Sequence, residues 1–169
     1  IHRKEAPMLI RKPDLYDGFH CIASACPDSC CQQWDVAVDG EKATLYRSLP
    51  GELGDRLRRF LKNEDGEVYL TLEGTRCPMW RADGLCRIQA ELGEGALCKT
   101  CREFPRLTHD YGSFVELGLE LSCPEAARLL LKQETWQWVQ QGQAEEADPD
   151  MALLLQTRQR AMELTELDR

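Results

Sequence analysis

The chain has little of what marks a membrane or nucleic-acid protein. No window approaches the roughly 18 or more uninterrupted apolar residues that a membrane-spanning helix requires. The opening residues, IHRKEAPMLIRKPDLYDGF, carry charge where a signal peptide needs its apolar stretch. Positive charge is in deficit: 21 Lys and Arg against 29 Asp and Glu give −8, the wrong sign for displacing counterions from phosphates. The expectation is a soluble, cytoplasmic protein with no nucleic-acid and no membrane partner, whose acidic surface suits a cationic partner such as a lysine side chain. A Gly-rich turn between a strand and a helix is also missing; Gly51-Glu-Leu-Gly54 and Gly93-Glu-Gly95 follow no convincing strand and are expected to be helix ends. That argues against a doubly wound nucleotide-binding sheet. Histidine is scarce, at three residues, and His20 and His109 are expected to be incidental.

Cysteine, by contrast, is abundant. Nine in 169 residues is too sparse for a disulfide scaffold and more than core packing alone supplies. In a reducing compartment clustered thiols point to metal or redox chemistry. Cys21, Cys26, Cys30 and Cys31 form one group, Cys77, Cys86, Cys98 and Cys101 a second, and Cys123 stands apart. Structural zinc usually takes two short Cys pairs, and only Cys98 and Cys101 make one. A four-iron, four-sulfur cluster needs four thiolates and accepts a remote ligand, so iron–sulfur leads and zinc stays open as the alternative. The three-cysteine fingerprint of radical S-adenosylmethionine enzymes is absent, because Gln33 occupies its third position. A thiol redox role for Cys98-Lys-Thr-Cys101 lacks a preceding strand and helix of the thioredoxin kind.

Length and 43% apolar content allow one compact domain. Asp39 caps an expected helix with Leu45, Tyr46 and Leu49 on one face. A second helix with Leu53, Leu57, Phe60 and Leu61 follows the break at Pro50-Gly51. GEVYLTLEG alternates like a short strand. Hairpins are expected around Asp83-Gly84, placing Cys77 opposite Cys86, and around Tyr111-Gly112. Ser122 with Glu125 has the pattern of a capping box. It opens a helix expected to run to about Gly142, with Ala126, Leu129, Leu130 and Trp136 on one face and Trp136 and Trp138 nearly opposite each other. Asp148-Pro149 starts a last helix carrying Met151, Leu154, Leu155, Arg158, Met162 and Leu164. The fold class expected is mainly α with two small β-hairpins, an irregular α+β domain organised by metal. Residues 1–142 would form the cysteine-rich iron–sulfur domain, and 143–169 a linker and C-terminal helix. The chain starts at Ile1 and stops inside a helical pattern, so it is expected to be part of a longer protein.

FHCIASACPDSCCQQWDVAVD, CPMWRADGLCRIQAELGEGALCKTCREFPR and LELSCPEAARLLL, in that order, resemble the N-terminal part of the bacterial flagellin lysine-N-methylases. More distantly, the double cysteine, the CP and GLC pair and the CREFP ending resemble a broad cysteine-rich family of zinc- or iron-chelating domains. The resemblance covers about residues 12–131. It implies a methyltransferase that moves methyl groups from S-adenosylmethionine to ε-amino groups of flagellin lysines, with an iron–sulfur cluster on the cysteines. A non-catalytic zinc- or iron-binding module is the alternative. Matching positions make Cys26, Cys30, Cys31, Cys77, Cys86, Cys98 and Cys101 the candidate ligands, four of them at a time, with Cys21 and Cys123 second. One of Cys30 and Cys31 is expected to bind and the other to be spare. Arg102 and Arg106, beside the second group, are candidates for holding a cofactor carboxylate, and Trp34 is expected in the core.

Overall fold

The computed structural model describes residues 8–143 and 148–166. In chain order its elements are β1 (Ile10–Pro13), β2 (Val36–Ala37), α1 (Gly40–Ser48), α2 (Gly51–Phe60), β3 (Leu61–Glu64), β4 (Glu67–Leu70), α3 (Arg87–Leu92), α4 (Lys99–Glu103), β5 (Arg106–Asp110), β6 (Val115–Leu119), α5 (Pro124–Leu131), β7 (Trp138–Gln141) and α6 (Pro149–Glu166), with short 3-10 turns between some of them. The class is mixed α+β, with two small sheets rather than two isolated hairpins: β5-β6-β1-β7 and β2-β4-β3. The chain divides into two units made of alternating segments. One is Ile1–Gly18 with Leu107–Leu119 and Glu134–Arg169; the other is Phe19–Arg106 with Glu120–Gln133.

The second unit carries the main core and eight of the nine cysteines in its first segment. Asp39 caps α1 as expected, its carboxylate accepting from the Lys42 N–H at 3.1 Å. Leu53 and Leu57, one turn apart on α2, bury with Tyr46, Leu70 and Met79. Leu57 and Met79 are wholly buried, each contributing about 1.5–3 kcal/mol on the usual transfer scale. The helix stops at Phe60, one residue earlier than its apolar spacing predicts, because Leu61 is already extended and pairs with Leu70. A β3–β4 hairpin comes next, turning at Asp65 and Gly66, both with positive φ. Gly54 is no helix end either. It lies inside α2 where the chain approaches Leu49 so closely that a Cβ would stand 1.9 Å from the Leu49 carbonyl oxygen. Gly93 does end α3, at φ 84°.

α5 is shorter than its sequence pattern. It ends at Leu131, its N-cap is Cys123 with no side-chain bond, and Glu125 pairs with Arg128 instead of closing a capping box on Ser122. The next element is β7, which pairs antiparallel with β1 from Ile10↔Gln141 to Pro13↔Trp138. Trp136 and Trp138 therefore do not flank a helix; two residues apart in extended chain, they meet edge to face with centroids 5.1 Å apart.

In the other unit β1 also runs parallel to β6, with Ile10 opposite Val115 and Arg11 opposite Glu116. The Tyr111-Gly112 turn joins β5 to β6, with Tyr111 N–H donating to the Phe114 carbonyl. α6 begins where Asp148 accepts from the Asp150 and Met151 amides, and Met151, Leu155, Arg158 and Met162 form its less exposed face; Leu154 and Leu164 are exposed. Glu116, 7% exposed, takes a bond from Arg11 at 2.7 Å and two from Arg158 at 2.8 and 3.0 Å, and the Arg11 guanidinium lies 4.3 Å above the Phe114 ring. Burial pushes the Glu116 carboxyl up, but Arg158 and Arg11 together outweigh it and hold it below the usual glutamate range. A carboxyl depressed in the folded state contributes stability that is fully present above the unfolded value of about 4.3 and is lost as pH falls through the folded value. Glu116→Gln should therefore weaken this unit at neutral pH by about 1.5–3 kcal/mol and flatten its stability profile below about pH 4. Hydrogen exchange of the β1 and β6 amides across that range measures both.

Among the described residues no helix is long and apolar enough to cross a membrane.

Candidate metal centre

Three stretches of the second unit carry the grouped thiols, and backbone pairing brings the first two together. The Cys77 amide donates to the Cys31 carbonyl at 2.8 Å, the Gln33 amide to Thr75 at 2.8 Å, and Gln32 bridges Arg76. This short antiparallel run sets the double cysteine beside Cys77. The segment between Cys77 and Cys86 turns back through Gly84, at φ 81°, and Trp80 bridges Cys86. The expected hairpin is thus one bridge, closed by Arg87 N–H on the Met79 carbonyl at 2.7 Å and Arg81 N–H on the Leu85 carbonyl at 2.9 Å; Trp80 rather than Cys77 stands opposite Cys86, and α3 starts directly after it. Cys98 stands at the N-terminus of α4 and Cys101 in its middle.

The result is a group of six. Cys30 neighbours Cys31, Cys31 neighbours Cys77, and Cys98 neighbours Cys101, each pair close enough for its thiols to interact; Cys86 lies within electrostatic reach of Cys30 and Cys98. The Cys31 contact raises Cys30, while Cys31, eased by Cys30 but loaded by Cys77 and burial, is pushed up to about 12. The contact with Cys31 lowers Cys77, the contact with Cys101 brings Cys98 down to about 7, and burial raises Cys86. Cys77 and Cys98 are buried, Cys31, Cys86 and Cys101 half-buried, and Cys30 exposed, so the group runs from the core to the surface. Among the described residues no three Cys, His, Asp or Glu side chains close on one point as a ready metal cage; the thiols meet in pairs.

Cys21, Cys26 and Cys123 are placed by the elements around them. Cys26 closes a 3-10 turn through its amide, Cys21 is exposed, and Cys123 is buried at the start of α5. Arg102 is exposed. The Arg106 guanidinium donates to the Phe19 carbonyl at 3.2 Å and lies 5.1 Å from the Phe19 ring, which commits at least part of it to the fold. Trp34 packs against the core and donates its indole N–H to the Cys30 carbonyl at 2.8 Å, tying the double cysteine down.

Two residues matter to this group that the sequence marked only as helix parts. Tyr46, 1% exposed, donates its hydroxyl to the Ala96 carbonyl at 2.7 Å, just before Cys98. Asp39 accepts from the Lys99 amide at 2.7 Å with the oxygen that does not cap α1, and that bond is the main reason its carboxyl sits below the usual range. Helical spacing predicts the burial of Tyr46; nothing local predicts a bond spanning 60 residues. Between Cys77 and Cys86, the indole N–H of Trp80 is buried with no acceptor among the described protein atoms.

Six thiols drawn from separate chain segments into one partly buried group define a cysteine-rich protein with the donor set for a soft metal. No family model matches the chain, and no solved structure does. Flagellar biosynthetic protein FliU of Salmonella muenchen is 34% identical over 131 residues, 72% of this chain and 76% of that protein. The lysine-N-methylases of Salmonella typhimurium LT2 and Salmonella choleraesuis SC-B67 are each 34% identical over 131 residues, 72% of this chain but 32% of their own length. The chain belongs to the family that FliU and these lysine-N-methylases share. It spans about a third of the length of the two methylases that it matches.

Proposed function

We propose that this chain is the metal-bearing part of a protein-lysine methyltransferase that uses S-adenosylmethionine to methylate flagellin lysines and carries an iron–sulfur cluster, of the four-iron, four-sulfur kind, on its cysteines. One observation carries the reading: six thiols from three chain segments gather in a region whose sequence is shared with proteins named lysine-N-methylase. In the overall transfer the methyl carbon leaves the sulfonium, its carbon–sulfur bond breaking as a carbon–nitrogen bond forms on the ε-amine. S-adenosylhomocysteine leaves and the amine gives up a proton.

The donor set fits such a cluster. Four thiolates can be drawn from these separate segments, and a cluster accepts wider ligand spacing than a single ion does. A bound cluster would supply one-electron chemistry and a charged, sulfur-lined face. Cys31, with Cys30 on one side and Cys77 on the other, is the proposed ligand of the adjacent pair. Cys77, Cys86 and one or both of Cys98 and Cys101 complete the set, and Cys30 remains at the exposed rim. Cys26 stays a candidate beside them, and the exposed Arg102 is the arginine proposed for a cofactor carboxylate. The burial of Cys77 and Cys98 in the core also favours a second reading, a zinc- or iron-binding module without activity of its own.

The test is anaerobic purification of the full-length natural protein, iron and sulfide analysis, and mass spectrometry of flagellin after incubation with S-adenosylmethionine. The expected result is about four irons per chain and lysines heavier by one methyl group. Zinc alone would favour the module, and unmodified flagellin would remove the methylase assignment.

A further inference from the structure

The Cys98–Cys101 arm is fastened at three successive points to one short stretch, residues 37–46. The Tyr46 hydroxyl donates to the Ala96 carbonyl at 2.7 Å, the Lys99 amide to the Asp39 carboxylate at 2.7 Å, and the Thr100 hydroxyl to the Ala37 carbonyl at 2.8 Å. The Asp39 carboxylate spans two helix starts, with one oxygen on the Lys42 amide of α1 and the other on the Lys99 amide of α4. Of the three fasteners only Asp39 is charged, and its charge reaches Cys98. Two neighbours on its own element bear on it: Lys42, whose ammonium pairs with Glu41 at 2.9 Å, and the α1 amides.

We propose that Asp39 is the positioning residue of the metal centre: by bonding the amide between Cys98 and Cys101 it sets both sulfurs before metal arrives, and its negative charge beside Cys98 adds to the field on the bound group. The inference rests on the reading of the thiols as a metal site and is independent of methyl transfer. A carboxylate meets this need better than an amide or hydroxyl. It offers acceptors to two N–H groups at once, whereas Asn has one acceptor oxygen and Ser one short hydroxyl. Ordered ligands lose less freedom on binding, and residues that hold ligands in place typically change metal affinity by about 10–100-fold.

The discriminating variant is Asp39→Ser in the full chain. Serine keeps the cap on Lys42 and is too short to reach Lys99, so the metal-free protein should melt within about 3 °C of wild type. Iron release to a chelator should be about tenfold faster, and the electron paramagnetic resonance spectrum of the reduced protein should shift. Asp39→Asn should fall between the two. Thr100→Val, which removes a tie without touching the charge, should leave the spectrum unchanged. Wild-type release rate and spectrum in Asp39→Ser overturn the proposal. So does faster release that only tracks a lowered melting temperature; if Asp39→Ser fails to fold, Asp39→Asn is read against the same criteria. A wild-type chain that takes up no metal overturns this inference and the cluster together. One that takes up zinc, released faster by Asp39→Ser, overturns the cluster alone. Loaded protein that never methylates flagellin removes only the enzyme assignment.

Discussion

Serine in place of Cys77 or Cys98 is expected to cut the iron bound per chain to less than about a tenth of wild type, while serine at Cys21 or Cys123 leaves it unchanged. The separation comes from where each thiol sits. Cys77 and Cys98 are the buried members of their pairs, and both belong to the core with Leu57 and Met79. A serine there leaves a hydroxyl in apolar surroundings and removes the soft donor, so metal and stability fall together. Cys21 is exposed, and its loss touches neither. Cys123 is an N-cap without a side-chain bond, and serine is among the best residues for that position, so Cys123→Ser should stabilise α5 by about 0.5–1 kcal/mol. Within the double cysteine, Cys31→Ser should behave like Cys77→Ser and Cys30→Ser like wild type. Equal iron loss from Cys30→Ser and Cys31→Ser would show that both sulfurs bind. Iron and sulfide assays with thermal melts of the metal-free forms check the whole series.

Gly54→Ala is the second large effect and runs against the usual benefit of alanine in a helix. Propensity alone favours the change by about 1 kcal/mol. The added carbon, however, would lie 1.9 Å from the Leu49 oxygen and 2.6 Å from its carbonyl carbon, and both atoms are backbone. That oxygen is also fixed by Arg58, which donates to it at 2.6 Å. Relief requires moving the end of α1 away from α2, where Tyr46 and Leu57 pack. Overpacking of this kind costs about 1–3 kcal/mol or more, so a net loss of roughly 2 kcal/mol is expected in a denaturant titration. Gly95→Ala, with nothing within 4 Å of its added carbon, is the control and should change little. A neutral Gly54→Ala would mean that α1 shifts freely.

Legibility tracked the range of the forces. Caps and turns act over a few residues, so Asp39 at α1, Asp148 at α6, Gly93 after α3 and the Tyr111-Gly112 turn were readable from neighbours alone. The misreadings arose where distant partners decided. WQWVQQ passes equally for a helix end or for alternation, and its strand form depends on β1, more than 120 residues earlier. Ser122 and Glu125 have capping spacing, yet Arg128 competes for the carboxylate and wins it. Asp39 shows both scales in one side chain, with one oxygen predictable and the other not.

The alternation of chain segments between the two units sets an order of synthesis. Everything assigned to the thiol-bearing unit has been made by Gln133, whereas the four-stranded sheet needs β7 and must close a span of more than 120 residues between Pro13 and Trp138. On a ribosome the cysteines can gather while the last strand of the other unit is still untranslated.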